Sequence, residues 1–193
     1  MCIRDSVLRV WRNACRIGLP EGLAANGPQG PALAAAVLLH DCVAVEKSSP
    51  LRAQASRLAA ARAEEILATL GWSATATAEV AHAIAAHSFS AGIPPESLLA
   101  RVLQDADRLD ALGHIGIARC FYTGGRLGSA LYHPLDPAAA HRPLADAQYA
   151  LDHFRAKLLH LGEGFQTATG AGLATERLAV VAAFLAGLEA ELA

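Results

Sequence analysis

The chain has 193 residues, of which 53% are hydrophobic and 18% are charged, and its formal net charge is -2. This length suits one domain with a sizeable core, and the near-neutral charge gives no reason to expect a nucleic-acid or anionic membrane partner. The apolar residues are largely Ala and Leu, which favour helix over strand. We therefore predict an all-α, bundle-like single domain over residues 1–193.

Apolar periodicity, with Gly and Pro at its breaks, predicts a series of helices. The third should begin at Ser49-Pro50 and stop at Gly71, and Pro94-Pro95 should open a later helix. A long loop is expected over 123–143, between a core of about 7–122 and a C-terminal helical pair of about 144–193. In chain order the predicted helices cover about 5–17, 31–44, 50–70, 75–87, 94–113, 115–121, 144–161 and 173–192.

Apolar runs and cysteines indicate where the protein resides. The runs near 31–39 and 178–188 are too short to span a bilayer, and no signal peptide is expected at the start of the sequence. The four cysteines are scattered and form no CxxC motif, which fits a reducing cytoplasm. We expect a cytoplasmic protein, and its oligomeric state is not predictable from the sequence.

The dipeptide His40-Asp41 closes the apolar run of the second predicted helix. Adjacent residues on a helix are about 100° apart, so their side chains can converge on one point beside the helix. An imidazole and a carboxylate are a common ligand pair for a divalent metal of borderline hardness. A buried His that is hydrogen-bonded to a carboxylate would explain the same dipeptide without a metal.

A second acidic cluster, Asp105, Asp107 and Asp110, lies in the helix that Pro94-Pro95 opens. Asp105 and Asp107 lie on nearly opposite helix faces, so only one of them can point at a given site. Asp107 lies among apolar residues and is the preferred candidate, whereas Asp110 is also explained as a solvated, ion-paired residue. Two such clusters on core helices indicate a metal site.

The segments LLHD, which ends at Asp41, and DADRLDALG, which begins at Asp105, together resemble the HD-domain metal-dependent phosphohydrolases. Within that family they look most like the small bacterial hydrolases of the YedJ-like subgroup. The likeness extends over nearly the whole chain from about residue 7. Further matching stretches are 9–14, 47–52 with Ser56, 87–90, 113–119, and Lys157-Leu158 with Glu176-Arg177.

The resemblance implies a divalent metal held by His40, Asp41 and Asp107, with Asp105 as the alternative distal ligand. The family also has an HDxxH motif in its first helix, and the matching positions here are Cys2 and Ser6. The N-terminus is therefore expected to be truncated or altered, which would impair activity.

Further residues are candidates for phosphate or substrate contacts. Lys47 follows the His-Asp pair on a loop, where it could contact a phosphate or be a solvated surface charge. Arg52 and Arg108 are further cationic candidates, with a surface position favoured for Arg52. His87 ends its helix beside a polar loop, where it could bind substrate or a second metal or be a half-buried structural residue.

The function that the resemblance implies is hydrolysis of a phosphate ester, with a nucleotide as one candidate substrate. A bound Mn, Mg, Fe, Co or Ni ion would activate a water and neutralise phosphoryl charge, with Lys47 steadying the phosphate and His87 orienting the water or leaving group. The alternative is a catalytically impaired HD domain that binds a nucleotide or a partner without turnover, which the missing first His favours.

Overall fold

The structure is a computed structural model that describes residues 3–45, 49, 51–88 and 91–192. Within those residues it contains α-helices and short 3-10 turns but no β-strand, which confirms the predicted all-α class. The helices are α1 (Ile3–Gly18), α2 (Gly30–Leu39), α3 (Ala55–Thr69), α4 (Ala74–Ala86), α5 (Leu98–Leu109), α6 (Gly113–Leu127), α7 (Ala150–Ala156) and α8 (Ala168–Leu192).

The chain forms two compact units, and the first comprises Met1–Asp107 with Gln166–Gly170. Helix α2 packs against α1, α3 and α4 within this unit, as its nearly uninterrupted apolar sequence predicts. Its residues Leu33, Ala36 and Val37 are fully buried. The apolar residues of α2 therefore form the centre of the first unit.

Helix α2 ends at Leu39, although the apolar pattern predicts that it continues to about 44. The His40 imidazole bonds the Val37 carbonyl, which is the acceptor that the backbone N–H of Asp41 would use in a longer helix. The chain then leaves the helix in a turn in which the Cys42 N–H donates to the Leu39 carbonyl. His40 and Asp41 consequently lie just beyond the helix rather than inside it.

The start of α5 also differs from the prediction, since it begins at Leu98 and not at Pro94-Pro95. The Ser97 hydroxyl accepts a hydrogen bond from the Ala100 N–H at 3.1 Å, so Ser97 is the N-terminal cap. The prolines precede the helix because a residue before proline is disfavoured in helical backbone. The predicted stop of α3 at Gly71 is confirmed, and that glycine has a positive φ of 76°.

The second unit comprises Arg108–Phe165 and Ala171–Ala193. Its helix α6 runs to Leu127, well beyond the predicted end near 121, and stops at Gly128, whose φ is 77°. A Cβ at Gly124 would be 3.3 Å from the Ala150 Cβ, so the glycine allows α6 to approach α7 closely. A glycine that the sequence indicates as a loop residue is thus used for helix packing.

The loop between α6 and α7 covers 128–149 rather than the predicted 123–143. Fully buried Asp152 accepts two hydrogen bonds from the Arg142 guanidinium, at 2.5 and 2.8 Å. The Ala130 N–H donates to the Gln148 carbonyl, and this pairing accompanies an extended Tyr149, with φ of -127° and ψ of 121°, directly before Ala150. The predicted helix over 144–161 is therefore replaced by the shorter α7 and a 3-10 turn, Leu158–His160.

Helix α8 has 25 residues and is long and apolar enough, by length and composition alone, to cross a membrane. One of its faces contributes Val181 and Leu185 to the hydrophobic cluster of the second unit. That cluster also includes Ile117, Leu151, Phe154 and Leu158. This packing covers one part of α8, and 22% of its most apolar 18-residue window is buried.

Candidate metal centre

His40 is 2% exposed, and its Nδ1 atom is 2.7 Å from the Val37 carbonyl oxygen. Because a carbonyl oxygen can only accept, this hydrogen bond requires the proton on Nδ1. The neutral ring then presents the lone pair of Nε2 on its other side. Such a backbone contact is how proteins orient a histidine that binds a metal.

Two carboxylates lie opposite the Nε2 atom of His40. Asp41 Oδ2 is 3.6 Å from this atom, and Asp107 Oδ1 is 3.8 Å from it. Both separations are longer than a hydrogen bond. In the neutral ring a lone pair therefore faces two anionic oxygens, an arrangement that a cation between them would stabilise.

His87 repeats the arrangement of His40 at the end of α4. Its Nδ1 atom is 2.6 Å from the Ile84 carbonyl oxygen, and its Nε2 atom is 3.8 Å from Asp41 Oδ1. The two imidazole rings have centroids 5.1 Å apart and are nearly perpendicular. Asp41, whose side chain is 67% exposed, thus lies between two buried histidines that are anchored in the same way.

The donor set suits a divalent metal, but its atoms are slightly too far apart to coordinate one. In the described part of the chain, no group of three or more His, Cys, Asp or Glu side chains is already arranged around a metal position. Neighbouring ligands at bond lengths of about 2.1 Å would be roughly 3.0–3.4 Å apart. The carboxylates of Asp41 and Asp107 are 67% and 37% exposed, so modest rotations of these side chains would close the difference.

Asp105 has a different role from Asp107. It is fully buried and accepts hydrogen bonds from the backbone N–H groups of Gln166 and Thr167, each at 2.8 Å, and from the Thr167 hydroxyl at 2.7 Å. These donors immediately precede α8, and the Thr167 hydroxyl also accepts a hydrogen bond from the Gly170 N–H at 3.0 Å, so Asp105 holds the N-terminal cap of that helix in place. Of the two candidate aspartates, the structure therefore brings Asp107 beside His40.

Glu21 adds a second carboxylate at the start of α8. Its Oε1 atom accepts a hydrogen bond from the Thr169 N–H at 2.8 Å, which lowers the pKa of the Glu21 carboxyl. The helix N-terminus is thus occupied by the side chains of Glu21 and Asp105. Neither carboxylate was indicated as a helix cap by the sequence, because the capped backbone lies more than 60 residues away.

The cationic candidates lie partly outside the described residues. Lys47 and Cys2 lie outside the described residues, as does the side chain of Arg52. The Arg108 Nε atom donates to the Leu161 carbonyl at 2.8 Å, and the guanidinium carbon is 5.6 Å from the Phe165 ring centroid. These contacts give Arg108 a structural role within the second unit.

Two buried side-chain amides donate hydrogen bonds to backbone carbonyls next to the candidate site. Sequence reasoning assigned neither residue a role. Gln104 donates to the Ala86 carbonyl at 2.7 Å, and Asn13 donates to the Ala106 carbonyl at 3.0 Å. Ala86 precedes His87 in the chain, and Ala106 precedes Asp107. The available signal was an amide side chain with apolar residues beside it on the same helix.

A family model for the HD domain matches residues 5–112. The match covers more than half of the chain, so this protein belongs to the HD-domain family. The uncharacterized protein YpgQ of Bacillus subtilis (strain 168) is 32% identical over 161 residues, which are 81% of this chain and 70% of that protein.

Solved structures of similar proteins share the fold. The chain resembles B. subtilis YpgQ in complex with ADP, with a TM-score of 0.72, 31% identity, and coverage of 96% of this chain and 84% of that one. It also resembles an HD-superfamily hydrolase from Bacillus thuringiensis, with a TM-score of 0.70, 28% identity, and coverage of 97% and 84%. The fold supports a metal-dependent phosphohydrolase in general, and HD-domain hydrolases generally depend on divalent metals. The YedJ-like subgroup and the altered N-terminus stay predictions.

Proposed function

We propose that this protein hydrolyses a phosphate ester at a divalent metal held by His40, Asp41 and Asp107. The observation that carries the proposal is the Nε2 lone pair of His40, which faces oxygens of Asp41 and Asp107 at 3.6 and 3.8 Å. One imidazole and two carboxylates accept Mn, Mg, Fe, Co or Ni, and the donor set does not select among them. When bound, the metal would supply an activated water and neutralise charge on a phosphoryl oxygen.

The side chains around this cluster have separate tasks in the proposal. Asp41 is 67% exposed, so solvent and a substrate can reach the cluster from its side. The Nδ1 atom of His87 contacts the Ile84 carbonyl and its Nε2 atom faces Asp41, so Nε2 is the ring nitrogen that we assign to orienting a water or leaving group through a hydrogen bond. Lys47 follows the His-Asp pair by six residues, and we assign it the contact with the substrate phosphate.

A nucleotide is the favoured substrate class. The similar protein YpgQ is described in complex with ADP. A nucleotide supplies the phosphate that the metal and Lys47 would hold. The cytoplasmic location expected from the composition stays part of the proposal.

A metal titration combined with a hydrolysis screen tests the proposal. Purified protein would be stripped of metal, titrated with Mn, Co, Ni and Mg by calorimetry, and assayed against nucleotides and simple phosphate esters. We expect His40→Ala, Asp41→Asn and Asp107→Asn each to weaken metal binding by about 10-fold or more and to abolish turnover. The matched control is Glu64→Gln, which neutralises an exposed carboxylate on α3 and should change neither property.

Two outcomes would contradict this function in different ways. Metal binding that is unchanged in all three ligand variants would mean that these residues do not form the site. A nucleotide that binds without any turnover would instead favour a non-catalytic HD module.

For Lys47→Ala we expect weaker substrate binding and slower turnover with unchanged metal affinity. Kinetics equal to those of the parent protein would show that Lys47 is not part of the site.

A further inference from the structure

Gln104 on α5 is buried and bound to the end of α4. Its side chain is 3% exposed, and its Nε2 atom donates to the Ala86 carbonyl oxygen at 2.7 Å. Ala86 is the last residue of α4, and its carbonyl belongs to the peptide bond that leads into His87. The amide of Gln104 therefore holds the backbone from which the His87 imidazole projects.

An amide at this position needs a specific reason. The neighbouring α5 residues Leu103 and Ala106 are fully buried, so an apolar side chain would be expected at 104 if packing were the only requirement. Burying an amide costs free energy unless it is hydrogen-bonded. The last carbonyls of a helix lack intrahelical partners, and Gln104 satisfies the one that borders His87.

The position of Gln104 on α5 links two parts of the candidate site. Gln104 precedes Asp107 by three residues, so both lie on one face of the helix. The same face thus brings Asp107 to 3.8 Å from His40 and fastens the backbone beside His87. A displacement of that backbone would change the 3.8 Å separation between His87 Nε2 and Asp41 Oδ1.

We propose that Gln104 is a positioning residue that sets the His87 imidazole against Asp41 through the Ala86 carbonyl. The inference rests on the proposed function, because His87 matters to turnover only if the cluster is catalytic. Small misplacements of a reacting or orienting group reduce rates strongly. Loss of the hydrogen bond should therefore impair turnover more than it impairs substrate or metal binding.

A double-mutant cycle between positions 104 and 87 measures this coupling. Gln104→Met keeps the side-chain length but removes the donor, and it should lower kcat by about 10-fold while KM and Mn affinity change less than about 2-fold. In a His87→Ala background the same change should lower kcat by less than about 2-fold, because the residue it positions is gone. Equal losses in both backgrounds would overturn the proposal.

The matched control is Thr77→Val on α4. The Thr77 hydroxyl is buried and has no hydrogen-bond partner among the described residues, so its loss removes a polar group without breaking a hydrogen bond. This variant should retain the parental kcat. If Gln104→Met does not fold, Gln104→Leu, which also lacks a donor, replaces Met in the cycle.

A measurement on the metal-free protein separates this inference from the proposed function. Imidazole carbon–proton signals of His87 and His40 would be assigned by their loss in the His87→Ala and His40→Ala variants. We expect Gln104→Met to shift the His87 signals more than those of His40, whose ring lies 5.1 Å from the His87 ring, whereas Thr77→Val should move neither. Unmoved His87 signals would refute the role of Gln104, whether or not the protein is active. Absent turnover with shifted His87 signals would contradict the proposed function alone.

Discussion

Asp105 and Asp107 are two residues apart on α5, yet their removal should impair different properties of the protein, namely stability and metal binding. Asp105 is fully buried and accepts three hydrogen bonds from Gln166 and Thr167. Asp107 is 37% exposed and lies 3.8 Å from the Nε2 atom of His40. We therefore expect Asp105→Ala to reduce stability and Asp107→Ala to reduce metal binding.

The magnitude follows from the contacts of each side chain. Hydrogen bonds to a charged group contribute about 1.5–3 kcal/mol each, and partial rehydration of the freed donors recovers some of this, which leaves a loss of roughly 3–5 kcal/mol for Asp105→Ala. At about 2–4 °C per kcal/mol for a chain of this size, Tm should fall by roughly 6–20 °C. Asp107→Ala should change the metal-free stability by no more than about 0.5 kcal/mol.

Thermal unfolding followed by circular dichroism, with and without Mn, measures both effects. The parent and Asp105→Ala should each gain stability from Mn, by about 2.7 kcal/mol when its concentration is 100 times the Kd. Asp107→Ala should gain far less. If Asp107→Ala lowers the metal-free Tm strongly and Asp105→Ala removes the Mn response, the assignment of the two aspartates is reversed and the geometric reasoning fails.

Three further predictions concern the second unit. Arg142→Met should lower the free energy of unfolding by about 3–5 kcal/mol in urea denaturation, because it leaves the Asp152 carboxylate buried without its cation. Hydrogen bonds from Arg142 lower the pKa of Asp152 from its ordinary 3.8, so their stabilisation should be present above about pH 3.8 and lost as pH falls through the lower folded-state pKa. Asp152→Asn should flatten this acid dependence, and an unchanged profile would argue against the assignment. Gly116→Ala should lower the free energy of unfolding by about 1–3 kcal/mol in the same urea assay, because the added Cβ would lie 2.2 Å from the Ala111 carbonyl oxygen. The control is Gly125→Ala, whose added Cβ would have no atom within 4 Å and should not destabilise the protein.

Several structural features follow from local sequence alone. The Ala- and Leu-rich composition and the repeated apolar spacing predict an all-α fold because helix formation depends on short-range backbone and side-chain preferences. Gly71 ends α3 as predicted, since glycine readily adopts the positive φ found there. Helical periodicity also predicts that only one of Asp105 and Asp107 can face His40, because two successive steps of about 100° separate them, whereas the choice of Asp107 depended on its apolar neighbours and on the family resemblance.

Tertiary structure decided the features that depend on partners far along the chain. Asp105 holds the backbone that precedes α8, more than 60 residues away, and pairing of Ala130 with Gln148 delays the start of α7. Gln104 reaches the α4 end across 18 residues. Local preferences carry no information about which distant carbonyl or N–H becomes buried beside a given side chain. That choice is made when packed helices must satisfy every buried polar group. The sequence therefore indicated the His-Asp pair as a candidate metal site, whereas the hydrogen bonds that hold the surrounding backbone became visible only in the structure.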